Sequence, residues 1–351
     1  MSATAVVTGG SGWLGTRLLL ALTHGLADTP HLASPDPTLR VRALVVSDAD
    51  AASVTAHSER IEAVPGDLRD ASSLDALCAG AEGGVLFHCA GIVHPLRRTR
   101  EFREVNVEGT RSVLDAALRA GVRRAVVMSS NSPMGLNPNR EHRFDERSPY
   151  DPYMGYGRSK MEMEQLVAAI QQDTRIETVV VRAPWFYGPS QPARQTEFFS
   201  MIRRGGAPIV GDGENLRSMA YLDNLAQGLL LCARDPAANG ETYWIADERP
   251  YSMNEIVDTV ERLMEQEFGL EVAHRRLRLP GVVSEIARAA DWTIQKVGLY
   301  QQKVHVLSEM NKHIACSIEK AKRELGYEPR VALEEGMRRS LGWCRDEGIT
   351  I

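Results

Sequence analysis

The chain opens on a short apolar run, Thr4–Thr8, then three glycines, then an apolar stretch, Thr16–Leu22, with the spacing of a helix. A continuous run of that length reads as a strand buried on both faces in a parallel sheet. Comparable runs recur at Val41–Asp48, Val85–Ala90 and Ala125–Ser130, with helical patterns between them up to about residue 182. This alternation predicts an α/β fold with a doubly wound parallel sheet. Beyond it the pattern is irregular. Ser190–Gly213 reads as loop around one helical stretch, Glu197–Arg204; Asn224–Ala233 predicts a helix and Thr242–Ala246 a strand, both returning to the sheet. Ser252, with Glu255 three residues on, forms a capping box ahead of a helix whose apolar face is Ile256, Val257, Val260, Leu263 and Met264. Residues 282–297 carry a second amphipathic pattern, with Val283, Ile286, Ala287, Ala290, Ile294 and Val297 on one face expected to pack inward within the small domain, membrane contact or the lining of an apolar pocket being the alternatives.

Composition narrows the class. At 351 residues the chain is long enough for one large domain or two interlocked ones. Its 25% charged and 43% hydrophobic residues are ordinary for a globular protein, and a net charge of −5 argues against a general binder of nucleic acid or anionic membrane. The five cysteines (Cys78, Cys89, Cys232, Cys316, Cys344) are scattered without a C-x-x-C pair, so neither a metal site nor a disulfide framework is expected. No apolar run reaches the length of a membrane span. The first strand begins almost at Met1, which leaves no room for a signal peptide and predicts a cytoplasmic location. Asp28–Thr38, with three prolines, reads as a solvated surface loop.

Two clusters carry chemistry. Gly9, Gly12 and Gly15, set between strand and helix, give a tight turn, close backbone approach and a free helix N-terminus, as a dinucleotide pyrophosphate requires. Gly9, Gly12, Trp13, Leu14 and Gly15 are the expected contacts. Tyr156 and Lys160 share one helical face, about 26 residues after the strand ending in Ser129-Ser130. A proton acceptor is needed when an alcohol loses hydride. A free phenol titrates near 10, and lowering it by about three units requires roughly 4 kcal/mol of preferential phenolate stabilisation. A Lys160 ammonium and a positive nicotinamide ring are suited to supply it.

These residues, with Gly66-Asp67-Leu68, His88-Cys89-Ala90-Gly91, Asn106–Thr110, Arg182-Ala183-Pro184, Arg217–Asn224 and the tail at 320–329, resemble the extended branch of the short-chain dehydrogenase/reductase superfamily. The likeness is closest to the 3β-hydroxysteroid dehydrogenase-like subgroup. It implies a Rossmann-type dinucleotide-binding domain at 1–182, rejoined by 217–247, and a smaller discontinuous substrate-binding domain at 183–216 and 248–351. It further implies that Tyr156 relays the proton, that Lys160 also binds the nicotinamide ribose, and that Ser130 orients the substrate oxygen, with Ser129 and Ser132 as close competitors. Ser47, Asp48, Asp67, Leu68, Ala90, Gly91 and Pro184 are the remaining implied cofactor contacts. A homodimer through helices near Asn106–Arg119 and Tyr156–Gln171 is implied as well. Pro133-Met134-Gly135 departs from the hydrophobic–Tyr–Gly usual in the family.

Relatives that use NADP often carry Arg where Val46 stands, and Asp48 is acidic, which favours NAD while leaving NADP open. Ser-Asn-Ser at 130–132, in place of Thr-Asp-Glu, argues against a sugar-nucleotide dehydratase. Pro184-Trp185-Phe186-Tyr187 forms an aromatic wall where epimerases present an Asn, and Arg217 stands where they hold a diphosphate. The expected substrate contacts are therefore Ser132, Trp185, Phe186 and Arg217. The expected reaction interconverts a secondary alcohol and a ketone on a fairly apolar small molecule. A nucleotide-sugar epimerase with tightly bound NAD is the alternative. A non-catalytic cofactor sensor is a third reading, weakened by the intact Tyr, Lys and glycines.

Overall fold

The computed structural model describes residues 4–96, 98–173 and 175–351. The first half alternates as β1 (Thr4–Thr8), α1 (Trp13–His24), β2 (Arg40–Val45), α2 (Asp48–Thr55), β3 (Ile61–Pro65), α3 (Ala71–Cys78) and β4 (Val85–His88). A helical run then joins α4 (Arg100–Arg103), a π turn at Glu104–Glu108 and α5 (Gly109–Arg119), followed by β5 (Arg124–Met128), α6 (Met154–Ile170) and β6 (Glu177–Arg182). Short strands dominate next: β7 (Trp185–Tyr187), α7 (Ala193–Arg203), β8 (Pro208–Val210), β9 (Leu216–Arg217), β10 (Met219–Tyr221), α8 (Leu222–Arg234), β11 (Thr242–Trp244) and β12 (Tyr251–Ser252). The chain ends with α9 (Met253–Gln266), β13 (Leu277–Leu279), α10 (Val282–Lys296), α11 (Gln302–Glu309), α12 (Glu319–Leu325) and α13 (Leu333–Asp346).

Seven strands form a fully parallel sheet in the order β11-β6-β5-β4-β1-β2-β3. Growth of the sheet reverses between β1 and β4, and that reversal opens a crevice at their C-terminal ends. Alternate side chains serve opposite faces. Val7 and Val126 join Leu18, Leu22 and Leu229 under α1 and α8. Val6 and Val127 join Leu74, Leu114 and Met163 under α3, α5 and α6. A third core, with Tyr187, Phe199, Ile256 and Met337, gathers β7, α7, α9 and α13 away from the sheet. Among the described residues no helix is long and apolar enough to cross a membrane.

Several expectations need correction. The ladders of β2, β4 and β5 stop at Val45, His88 and Met128, two or three residues early, because the chain leaves the sheet there to line the crevice. Asn106, in the segment resembling the family's helix start, sits inside the π turn of a helical run that already began at Arg100. Asp28–Thr38 is the exposed loop expected, but it is anchored as well: Leu32 is buried, Leu26 N–H donates to the Leu32 carbonyl (2.9 Å), and Thr29 Oγ1 accepts from Gln227 Nε2 (3.1 Å). The amphipathic pattern at 282–297 is a helix, yet it turns Ser284, Ala287 and Asp291 inward and leaves Ile286 64% and Val297 69% exposed. Polar partners decide this orientation. Asp291 meets His305 Nδ1 (2.7 Å) and Gln295 Nε2 (2.9 Å), and Ser284 Oγ donates to the Ser308 carbonyl (2.7 Å).

Candidate active site

At the end of β1 the chain turns through Gly9 at φ +73°, where a Cβ would lie 2.7 Å from Ala90 N. A Cβ on Gly15 would lie 1.9 Å from the Gly9 carbonyl oxygen. The glycines are thus required for α1 to start this close to β1 and β4. Gly12 caps α1 without a side-chain hydrogen bond, and the first turn contains no acid. The N–H groups of Trp13 and Leu14 therefore point out of an uncapped helix end. That cradle fits a dinucleotide pyrophosphate. Trp13 itself is pinned by Nε1 donating to the Pro189 carbonyl (2.7 Å).

The adenosine side differs from expectation in detail. Ser47 caps α2 by accepting from Asp50 N–H (3.1 Å), and Asp48 is the first residue of that helix. The carboxylate turned to the glycine loop belongs to Asp50, which accepts from Ser47 Oγ (2.6 Å) and is held below the usual carboxylate range by Ser47 and nearby Ser11. Asp67 follows β3 as expected, but Arg69 grips its carboxylate with two bonds (2.8 and 2.6 Å) and holds it down at about 2. Leu68 is buried beside it.

Tyr156 and Lys160 lie one turn apart in α6, and both are buried. The Ser130 hydroxyl lies near the Tyr156 phenol and favours its phenolate, whereas Ser129 Oγ donates to buried Glu164 (2.5 Å). Ser132 Oγ stands 3.4 Å from Ser130 Oγ, and the Ser132 carbonyl accepts from Tyr153 N–H (3.0 Å). The sequence predicted a phenol lowered by Lys160 together with a bound, positive nicotinamide ring. In the folded chain by itself burial dominates and pushes Tyr156 up to about 12, with Ser130 working against it. Lys160 Nζ donates to the Met128 carbonyl (2.9 Å), and burial pulls the ammonium down to about 8 against the opposing pull of Glu164. Gly91 leaves room for it: a Cβ there would lie 3.4 Å from Lys160 Nζ. Ala90 N–H donates to Thr8 Oγ1 (3.3 Å), holding this loop to β1.

Phe102, Tyr300 and Ile92 enclose the Tyr156 ring. Phe102 lies 5.9 Å from Tyr156 and 5.7 Å from Tyr300, centroid to centroid. Behind them Tyr300 OH and His94 Nδ1 are 2.6 Å apart, and His305 packs 5.6 Å from the Tyr300 ring. Arg217 leaves β9 with its Nε buried and without a hydrogen-bond partner, in the field of Glu309 and Tyr153. Burial lowers its pKa from the usual arginine value. Trp185 and Phe186 do not join the Tyr156 cluster. Trp185 packs on Phe198 (5.8 Å) beside the third core, and Phe186 packs on the sheet core, because successive residues of β7 face opposite ways. Pro184 is buried at the turn into that strand.

Four residues of this site carried no role in the sequence reading. Asn106 bridges Ile92 N–H (2.8 Å), the Ile92 carbonyl (2.9 Å) and Ser159 Oγ (3.0 Å), bracing the crevice loop against α6. Glu164 was legible as the residue four after Lys160, one helical turn on. Gln295 accepts from Gly155 N–H (2.9 Å), and Asp50 lies two residues past the expected acid. Neither gave a local signal.

A model of the NAD dependent epimerase/dehydratase family matches residues 5–246. The uncharacterized protein y4nL of Sinorhizobium fredii is 52% identical, over 98% of this chain and 95% of its own. The 4-hydroxy-2-methyl-3-oxo-4-farnesyl-3,4-dihydroquinoline-1-oxide ketoreductase of Stigmatella aurantiaca is 29% identical over 94% of this chain and 93% of that one. The 3beta-hydroxysteroid-dehydrogenase/decarboxylase isoform 1 of Arabidopsis thaliana is 28% identical over 96% and 78%. The dTDP-glucose 4,6-dehydratase DesIV of Streptomyces venezuelae, solved with NAD bound, superposes with a TM-score of 0.73 at 25% identity, over 98% of this chain and 97% of that one.

Proposed function

The chain belongs to the NAD dependent epimerase/dehydratase family, within the extended short-chain dehydrogenases/reductases, and from that premise we propose that it interconverts a secondary alcohol and a ketone on a fairly apolar substrate. The observation that carries this reading is the Tyr156 phenol, enclosed by Phe102, Tyr300 and Ile92 and influenced by the nearby Ser130 hydroxyl, which favours its phenolate. Tyr156 gives its proton to a ketone oxygen or takes one from an alcohol. Ser130 orients that oxygen, and Lys160, freed from the Met128 carbonyl, holds the nicotinamide ribose. Bound NAD supplies the hydride acceptor or donor. The N–H groups of the first turn of α1 would hold its pyrophosphate, and Asp50 rather than Asp48 would hold the adenosine ribose. In this reading residues 1–182 with 217–247 serve the cofactor and 183–216 with 248–351 the substrate, in a cytoplasmic homodimer.

One observation favours the second reading, a nucleotide-sugar epimerase. The buried, unpartnered Arg217 Nε is suited to a phosphate oxygen. Turnover against hydroxysteroids, β-hydroxy acids, β-keto esters and UDP- or GDP-sugars separates the two. Net change in nicotinamide absorbance with an apolar alcohol or ketone, lost by about 100- to 10,000-fold in Tyr156→Phe with cofactor binding intact, supports the first. Sugar conversion with no net absorbance change refutes it in favour of the second.

A further inference from the structure

Of the eleven large hydrophobic side chains exposed among the described residues, eight lie on two short segments, 93–96 and 282–306. Leu96 in the loop after β4 is 92% exposed, and Val282, Ile286, Trp292, Val297 and Leu299 stand out from the α10–α11 hairpin. The segments adjoin: Arg98 pairs with Leu299 in an isolated antiparallel bridge, and Thr99 N–H donates to the Gly298 carbonyl (3.1 Å). With Ser284 and Asp291 turned inward, Val282, Ile286, Thr293 and Val297 recur at helical spacing on the outer side of α10. The surrounding sequence is basic. Across the described residues of 93–100 and 282–306 it holds Arg98, Arg100, Arg288, Lys296 and Lys303 against Glu285 and the buried Asp291, with Arg100 also paired to Glu104 and Arg288 to Glu285, in a chain whose overall charge is −5. Lys296 Nζ sits 4.7 Å from the centre of the Trp292 ring, so one cation and one amphipathic ring share this face.

We propose that this face is a docking surface for an anionic lipid membrane, with α10 lying in the headgroup plane. An outward apolar stripe flanked by arginine and lysine is the chemistry such a surface recognises. The inner side of the same hairpin carries Tyr300 against Phe102 and Gln295 against Gly155, so the docked face is the back of the wall enclosing Tyr156. The proposal is independent of the proposed reaction.

The test is flotation of the full chain with vesicles of phosphatidylcholine plus phosphatidylglycerol and with phosphatidylcholine alone. Emission of Trp292, the one clearly exposed tryptophan of five, is read in parallel. The expected result is association with the anionic vesicles, a blue shift, and release by salt. Ile286→Glu/Val297→Glu should reduce partitioning by about tenfold or more, with NAD binding unchanged. Lys296→Glu/Lys303→Glu should do the same while leaving the apolar stripe intact. Failure to associate with anionic vesicles overturns the proposal, as does association undiminished in both variants. So does light scattering showing a wild-type dimer that Ile286→Glu/Val297→Glu splits, since a second copy would then cover this face.

Discussion

Replacing Glu164 by Gln leaves a charged Arg182 in the protein interior without its carboxylate. Both side chains are almost fully buried, at 2% and 4% exposure. Glu164 Oε1 accepts from Ser129 Oγ (2.5 Å) and Arg182 Nε (3.1 Å), while Oε2 accepts from Arg182 Nη2 (2.6 Å) and Tyr150 OH (2.9 Å). An amide keeps only one of these acceptors and sets its NH2 against groups that also donate. Breaking a buried pair in this way costs about 3–5 kcal/mol, far more than the pair itself stabilises. Glu164→Gln should therefore lose about that much in urea unfolding at neutral pH. The double variant Glu164→Gln/Arg182→Met should recover most of it, because no unpaired charge remains. Glu164 also favours the protonated form of Lys160, so either variant should move Lys160 below its present value of about 8 and shift the alkaline limb of activity to lower pH. A loss under about 1 kcal/mol in the single variant, or a double variant no more stable than the single, would refute the reasoning.

Gly15→Ala places a methyl 1.9 Å from a backbone oxygen, so the turn must open; NAD binding should vanish in calorimetry, with about 1–3 kcal/mol lost in stability. Lys160 titrates near 8 in the folded chain against 10.5 for a free lysine, so the unfolded state binds the extra proton between those values. Stability relative to Lys160→Met should rise across that window by up to about 1.4 kcal/mol per pH unit, and a flat difference from urea unfolding at successive pH values would count against it. Asp50→Ala should weaken NAD about tenfold or more and leave NADP little changed in titration, whereas an equal effect on both would remove Asp50 from the ribose.

Apolar runs located the sheet because strands buried on both faces have no polar side to confuse the reading. The glycine turn was legible for a related reason: only glycine tolerates those approaches at Gly9 and Gly15. Residues that act over long sequence separations were not legible. Gln295 reaches Gly155 from 140 positions away, and nothing near either one marks the contact. The orientation of α10 was misread because periodicity records where apolar residues recur, not whether buried Asp291 and Ser284 have partners waiting inside. Trp185 and Phe186 read as one aromatic wall, yet the alternation of a strand sends them to different cores.

The order of strands also bears on how the chain emerges from a ribosome. β6 pairs with β5 on one side and with β11 on the other, but residues 183–241 must be made before β11 exists. At 5–20 residues per second that interval is roughly 3–12 s. Any sheet formed in that interval ends at β6 with Val180, Val181 and Arg182 unpaired on the β11 side, the kind of template on which nascent chains pair with one another. Yield from a cell should therefore depend on how well that edge is shielded during synthesis, even where the finished fold is unaffected.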